Sequence, residues 1–389
     1  MLAAVFLTVV VDLIGFGLIL PLLPFYASHF GASPFAVALL SAVFSVAQFL
    51  VAPPLGSLSD RIGRKPVFLA CTILTAAGYL TLAFADSLWV IFAARVMGGI
   101  GSGKIGIAQA IIGDATPPQK RAKGMGLIGA GFGIGMILGP ILGGVLIGDD
   151  PAHPAYHLPA FAAAAASSLA LLLAAITIRE TLSPGSGSAV RSRNILKTLP
   201  QLSPGALAFV TMNFAISFAF AQIETLFPLF ANARLHWHAY EVGIAYTFIG
   251  AIVLAMQGLL IGPLALRFGE ARLLVAGLIG LAAGMLMSHW IFAPVEMALS
   301  IILTATGFAL VNPSINSLIS RSADPGKQGL TMGTAQSMAA LGRVLGPVWG
   351  GWLFDEIGVS VPYIVGSIIL LLTLAAGWRQ IRAVPGEKT

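Results

Sequence analysis

The sequence predicts an all-α membrane protein with twelve transmembrane helices in two pseudo-symmetric six-helix halves, and three observations carry that expectation. Of 389 residues, 57% are hydrophobic and only 9% charged, against roughly 25% charged residues in a soluble domain. Apolar stretches of about 20 residues, each enough to cross a ~30 Å hydrocarbon core as a helix, recur along the whole chain. A membrane β-barrel would need alternating segments of about ten residues instead. The third observation is an internal repeat. The stretch Gly56-Ser57-Leu58-Ser59-Asp60-Arg61-Ile62-Gly63-Arg64-Lys65-Pro66 returns 206 residues later as Gly262-Pro263-Leu264-Ala265-Leu266-Arg267-Phe268-Gly269-Glu270-Ala271-Arg272, with glycine, leucine, arginine and glycine in register. Leu138-Gly139-Pro140 with Gly143-Gly144 returns 207 residues on as Leu345-Gly346-Pro347 with Gly350-Gly351. An even number of spans per half gives the halves one orientation, related by an axis along the membrane normal.

The expected spans are 2–28, 35–58, 66–86, 88–112, 122–148 and 157–179, then 204–230, 238–262, 270–291, 293–316, 327–353 and 361–382. Residues 1–179 form the first half and 204–389 the second. The connector 180–203, rich in Ser, Pro and Gly and carrying Arg191, Arg193 and Lys197, reads as a cytoplasmic linker. Forty-five glycines suit helices that approach closely in lipid. Cys71 stands alone, which excludes an intrachain disulfide. The first apolar run exceeds a signal-peptide core and continues through Pro24, so no cleavable signal is expected. The net charge of +6 is topological: 17 of 21 Lys and Arg fall in loops of one set, at 61–65, 120–123, 179–197, 267–272, 321–327 and 379–388. Arg234 lies in the other set, and Arg95, Lys104 and Arg343 lie inside spans. This bias places both termini in the cytoplasm and argues against a nucleic-acid partner.

The stretch from Gly56 to Pro66 resembles the signature loop between spans two and three of the major facilitator superfamily. Span five, with Gly131-Phe132-Gly133-Ile134-Gly135 and Gly139-Pro140-Ile141-Leu142-Gly143-Gly144, resembles the motif of that superfamily's drug/proton antiporters. Asp12 followed by Leu20-Pro21-Leu22-Leu23-Pro24, and Arg95 followed by Gly98, Gly99 and Gly101, resemble the same branch, and the likeness is closest to twelve-span tetracycline efflux proteins. The sequence departs from those at Gly78, where they carry an acid, and at Gln257 and His289, where they carry other ionisable groups. The resemblance implies the major facilitator fold, proton-coupled export from a bacterial inner membrane, and a coupling role for Arg95.

Ionisable residues inside hydrocarbon cost at least ~2.5 kcal/mol each, so each needs a reason. Asp12 lies near mid-depth of span one and can load and release a proton; a structural ion pair is the alternative. Arg95 shares a helical stripe with Ser102 and Gln109 and is the expected partner of Asp12, the alternative being an arginine that snorkels to the interface. Lys104, nine residues on, turns about 180° away from Arg95 unless the glycines from Gly98 to Gly106 distort the helix. In the second half Glu224, with Asn213 and Gln222, lies in span seven, and Arg343, beside Gln336, in span eleven. These, with Gln48, Lys104, Gln109, Gln257 and Asn312, are the candidate substrate contacts. Each amide alone, Asn316 included, is more often glue between helices.

Gly56, Asp60, Arg61, Gly63, Arg64 and Asp114 form a candidate cytoplasmic latch, in which Arg61 and Arg64 pair with Asp114. The resemblance implies that Asp60 approaches the start of span eleven near Gly329. The second copy carries Leu266 and Glu270 in place of Asp60 and Arg64, so a weaker latch is expected there. Gly131, Gly135, Gly139, Pro140, Gly143 and Gly144 read as close packing with a kink near Pro140.

The expected function is alternating-access export of an amphipathic small molecule in exchange for protons. The alternative is an organic-anion carrier or importer that uses Lys104 and Arg343 as counter-charges, and a transport-dead sensor ranks last. No phosphate-binding Gly-x-x-x-x-Gly-Lys-Ser/Thr loop occurs, so ATP-driven pumping is not expected. No metal cluster, cofactor or catalytic residue is expected either, and the partners are the small molecule, protons and lipid around a monomer.

Overall fold

Helix covers most of the described residues in each of the twelve expected stretches. The computed structural model describes residues 2–115, 121–148, 154–181, 199–324 and 328–383. Lys120, the basic linker residues Arg191, Arg193 and Lys197, Lys327 and Lys388 lie outside them, as do the side chains of Arg121, Lys123 and Phe132. In the first half the helices are α1 (Leu2–Ile19), α2 (Leu23–His29), α3 (Pro34–Ile62), α4 (Arg64–Ala83), α5 (Leu88–Gly101), α6 (Lys104–Ala115), α7 (Arg121–Ile147) and α8 (His157–Thr177). The second half has α9 (Pro204–Leu235), α10 (Ala239–Ala255), α11 (Ile261–Phe268), α12 (Glu270–Leu286), α13 (Pro294–Ser322), α14 (Gln328–Glu356) and α15 (Val361–Arg382). Nine segments among the described residues are long and apolar enough to cross a bilayer, and α1 with α2 makes a tenth. Trp89, Leu172, Ile176, Val295 and Leu372 point outward, as lipid-facing side chains do.

Among the described residues, spans one, four and eight depart from a regular α-helix within their length. Span one breaks between Ile19 and Leu23 and bends by 42°, because Pro21 lacks an N–H and disfavours helical backbone at Leu20. Span four breaks at Ser102 and Gly103, where Gly103 N bonds Ile100 O and Ile105 N bonds Ser102 O in tight three-residue turns. In span eight, Met256–Leu260 forms a π-helical turn that contains Gln257. Helix α7 stays helical through Pro140.

The chain divides into two compact units, and the division does not follow the repeat strictly. Residues 33–42, the start of α3, belong with the second unit, and residues 237–250, most of α10, belong with the first. Within the second unit Phe35 N donates to Asp355 Oδ2 at 2.8 Å. Within the first, Thr247 Oγ1 donates to Gly243 O at 2.9 Å, and the Gly243 Cα packs against Pro140.

Glycine ridges on α7 and α14 explain the closest packing. On α7, Gly135, Gly139 and Gly143 are spaced by four and face α1: a methyl on Gly135 would lie 2.7 Å from the Leu13 carbonyl carbon, on Gly139 2.5 Å from Gly17, and on Gly143 2.7 Å from Leu18 O. On α14 the counterparts Gly342, Gly346 and Gly350 face α9 at Phe214, Phe218 and Gln222. The next glycine of each ridge completes the match, Gly144 packing on Tyr240 and Gly351 on Phe35 and Ala38. Such contacts hold helices together where lipid supplies no hydrophobic drive between them. Gly139→Ala is expected to cost about 1–3 kcal/mol by forcing backbones apart. Gly106→Ala, with nothing within 4 Å of the new methyl, should leave stability unchanged; thermal unfolding of purified variants checks both.

Candidate functional site

The most concentrated buried chemistry in the first unit is built around Asp12. Its Oδ1 accepts from Lys104 Nζ at 2.6 Å and from Ser167 Oγ at 3.1 Å. Lys104 Nζ also donates to Thr75 Oγ1 at 3.0 Å, and the Thr75 hydroxyl donates to the Cys71 carbonyl at 3.0 Å. Spans one, three, four and six thus each supply one member. The Asp12 side chain is 14% exposed and that of Lys104 5%. Val9, Leu13, Cys71, Ile107 and Ala108, on the same helices, belong to one buried apolar cluster.

Lys104, rather than Arg95, is the partner of Asp12, which corrects the expected pairing. The break at Ser102 and Gly103 resets the helical phase, so the half-turn that would have aimed Lys104 away no longer applies. Glycines let span four come close enough: a methyl on Gly99 would meet Ala47 Cβ at 2.8 Å, and one on Gly101 would meet Cys71 O at 2.8 Å. Arg95 instead lies over the Phe44 ring, 4.2 Å from its centroid. Its Nε has no hydrogen-bond partner among the described residues. Tyr79, one turn beyond Thr75 on α4, feels the charges of both Asp12 and Arg95. The stripe expected from Arg95 through Ser102 to Gln109 is cut by the same break: Ser102 Oγ donates to Gly99 O, and Gln109 is exposed on α6.

Thr75, Ser167 and Tyr79 are the members that sequence reasoning missed. Hydroxyls inside apolar runs were the only signal. Most such hydroxyls in this chain bond back to their own helix, as Thr72 does to Phe68 O and Ser168 to Ala164 O, and sequence does not separate the two uses.

In the second unit the charges of Glu224 and Arg343 act on each other. The candidate amides have separate surroundings within their own units. Asn213 Nδ2 donates to Ala335 O at 3.2 Å, joining α9 to α14. Gln222 is wholly buried against Gly350 and Gly366, with no partner for its amide atoms among the described residues. Gln48 and Gln257 are half-buried, Gln336 is exposed, and Asn312 Oδ1 accepts from Asn316 Nδ2 at 3.0 Å. His289 falls in a short 3-10 turn after α12.

The latch at the start of α4 is a four-span junction. Arg64 bonds Asp60 at 2.5 Å, Asp114 at 3.3 Å and Ser59 Oγ at 2.7 Å, while Arg61 is exposed. Gly63 adopts φ of 110°, open to glycine at little cost. Both carboxylate oxygens of Glu180 accept there, from Arg64 N at 2.9 Å and Lys65 N at 3.1 Å, capping α4. Glu180 stood in the sequence as the first charge of the linker, with nothing to show this role. The second copy, where a weaker latch is expected, also holds a charged contact. Glu270, at the place of Arg64, bonds Arg321 at 3.0 Å and Ser317 Oγ at 2.6 Å, and Arg321 stands 207 residues after Asp114. The ion pair is repeated with its polarity reversed. Glu180→Ala should accelerate hydrogen exchange of the Arg64 and Lys65 amides. Glu270→Arg and Arg321→Glu should each lower the melting temperature, and the double variant should recover most of the loss.

A sequence profile of the Major Facilitator Superfamily matches residues 5–260 and 251–389. The chain is 31% identical over 398 residues to the class G tetracycline resistance protein of Vibrio anguillarum, covering 95% of this chain and 94% of that one. It is 30% identical to the bovine (Bos taurus) major facilitator superfamily domain-containing protein 10, covering 95% and 90%. Among solved structures, a human organic anion transporter superposes with a TM-score of 0.74 at 26% identity, covering 96% and 98%. A peptide transporter superposes at 0.79 with 15% identity, which speaks for the fold alone. The repeated signature loops, the glycine ridges and these likenesses agree, and the chain belongs to the major facilitator superfamily.

Proposed function

We propose that this protein is a secondary active transporter that exports an amphipathic small molecule in exchange for protons by alternating access. The observation that carries the reading is the Asp12–Lys104 pair, an acid and a base in direct contact inside a membrane-spanning bundle. Holding such a pair in hydrocarbon costs desolvation on both sides. Taking up or releasing a proton there changes the balance of charge at once, which is what a coupling site needs. Likeness to proteins named for tetracycline resistance supports export of a drug-like compound. The driving force is adequate: an entering proton yields about 2.3 kcal/mol per 100 mV and about 1.4 kcal/mol per pH unit.

In this reading the protein works as a monomer in a bacterial inner membrane with both termini in the cytoplasm, as the placement of its Lys and Arg supports. Arg95 acts on the pair from the outer part of span four. The Arg64 and Glu270 junctions each fasten the cytoplasmic ends of spans within one unit.

A second reading, carriage of an organic anion, is favoured by the likeness to the human organic anion transporter. In it Lys104 and Arg343 serve as counter-charges. Each already has a carboxylate for a neighbour, Asp12 and Glu224, so an anion would have to displace one.

A substrate panel in everted vesicles with an imposed pH gradient tests the export reading. Accumulation should follow the gradient and collapse with an uncoupler. Asp12→Asn should reduce gradient-driven accumulation to the level of vesicles lacking the protein. Full gradient-driven transport by that variant would remove the pair from the mechanism.

A further inference from the structure

We propose that Lys104 is the group that gives up the proton, and that the substrate exchanged for it is an amphipathic organic cation bound by the Asp12 carboxylate. The inference rests on the export reading and specifies its site. Asp12 is the more open member of the pair, 14% exposed against 5% for Lys104. An incoming cation therefore meets the carboxylate before it meets the ammonium. Once the cation holds Asp12, Lys104 keeps one hydrogen-bond partner among the described residues, the Thr75 hydroxyl at 3.0 Å. An ammonium left with a single neutral partner among apolar side chains is expensive. Releasing its proton removes that cost, and the neutral amine can still bond the hydroxyl, which both donates and accepts.

The step balances. One organic cation forms an ion pair with Asp12. The N–H bond of Lys104 breaks with its electron pair staying on Nζ, and the proton passes to water, so the site's net charge is unchanged. Reprotonation of Nζ draws Asp12 back and expels the cation, which makes the exchange one for one. The groups facing Lys104 do not offer another route of equal directness. They are Asp12 from α1, Thr75 and Cys71 from α4, and, bonded to Asp12, the hydroxyl of Ser167 from α8. Tyr79 and Arg95 stand one group further away. An anion would give the opposite linkage, since it would need Asp12 protonated before it could take Lys104.

The test uses purified full-length protein in weak buffer near neutral pH, with tetraphenylphosphonium as the probe cation. Wild type should release about one proton per cation bound, and its affinity should rise by up to about tenfold per pH unit as pH increases. Lys104→Arg keeps the positive charge and the pair but cannot deprotonate at these pH values. It should elute and melt like wild type, bind the cation weakly and without proton release, and lose gradient-driven transport. Asp12→Asn should not bind the cation. Wild-type proton release from Lys104→Arg would put the proton on another group and overturn the proposal, as would proton uptake when benzoate binds the wild type. Gradient-driven export of neutral compounds with no cation binding would overturn it while leaving the export reading intact. Absence of gradient-driven transport for every compound would sink both.

Discussion

Between helices in hydrocarbon there is no water to expel, so backbones stay together where side chains are small enough to let them touch. In this protein that contact is made by Gly135, Gly139 and Gly143 against α1, and by Gly342, Gly346 and Gly350 against α9. The first ridge sets α1 in place along Leu13 to Leu18, directly after Asp12. Gly99 and Gly101 perform the same service for span four, letting its backbone close on Phe44 and Cys71. Lys104 then arrives at the carboxylate because two packed surfaces and one broken helix bring it there.

The repeat is architectural and stops short of the chemistry. Phe214 meets the α14 ridge as Leu13 meets the α7 ridge, which puts Asn213 at the place of Asp12, and 207 residues after Lys104 stands Val311, so this acid–lysine pair has no counterpart in the second half. At the junctions both halves keep an ion pair across the same two spans, Arg64 with Asp114 and Glu270 with Arg321, with the signs exchanged. A contact between opposite charges is satisfied equally by either arrangement. The packing that brings the two positions together is therefore what the halves share.

Much of this was legible without coordinates. A nearly all-helical membrane fold and the glycine ridges follow from apolar run length, from the cost of exposing backbone to lipid and from a repeated glycine motif. The candidate site was legible in its members and misread in its pairing. Asp12, Lys104 and Arg95 stood out because charge in a membrane is costly. Which cation meets Asp12 depended on helical phase: the family resemblance pointed to Arg95, and a straight helix through Gly98 to Gly106 turned Lys104 away from the face of Arg95. The hydroxyls of Thr75 and Ser167 were invisible because serine and threonine within helices so often bond to their own backbone.

The sequence by itself determined where the chain is buried in lipid, which stretches span it, and which few residues carry charge there, since each follows from composition and local pattern. Tertiary structure decided the partners. The break at Ser102 and Gly103 turned Lys104 toward Asp12, the end of span six brought Glu180 to the amides of Arg64 and Lys65, and a charge swap gave the second junction its ion pair. Pairing is a matter of distance and direction across helices far apart in the chain, and those are set by packing that no single segment encodes.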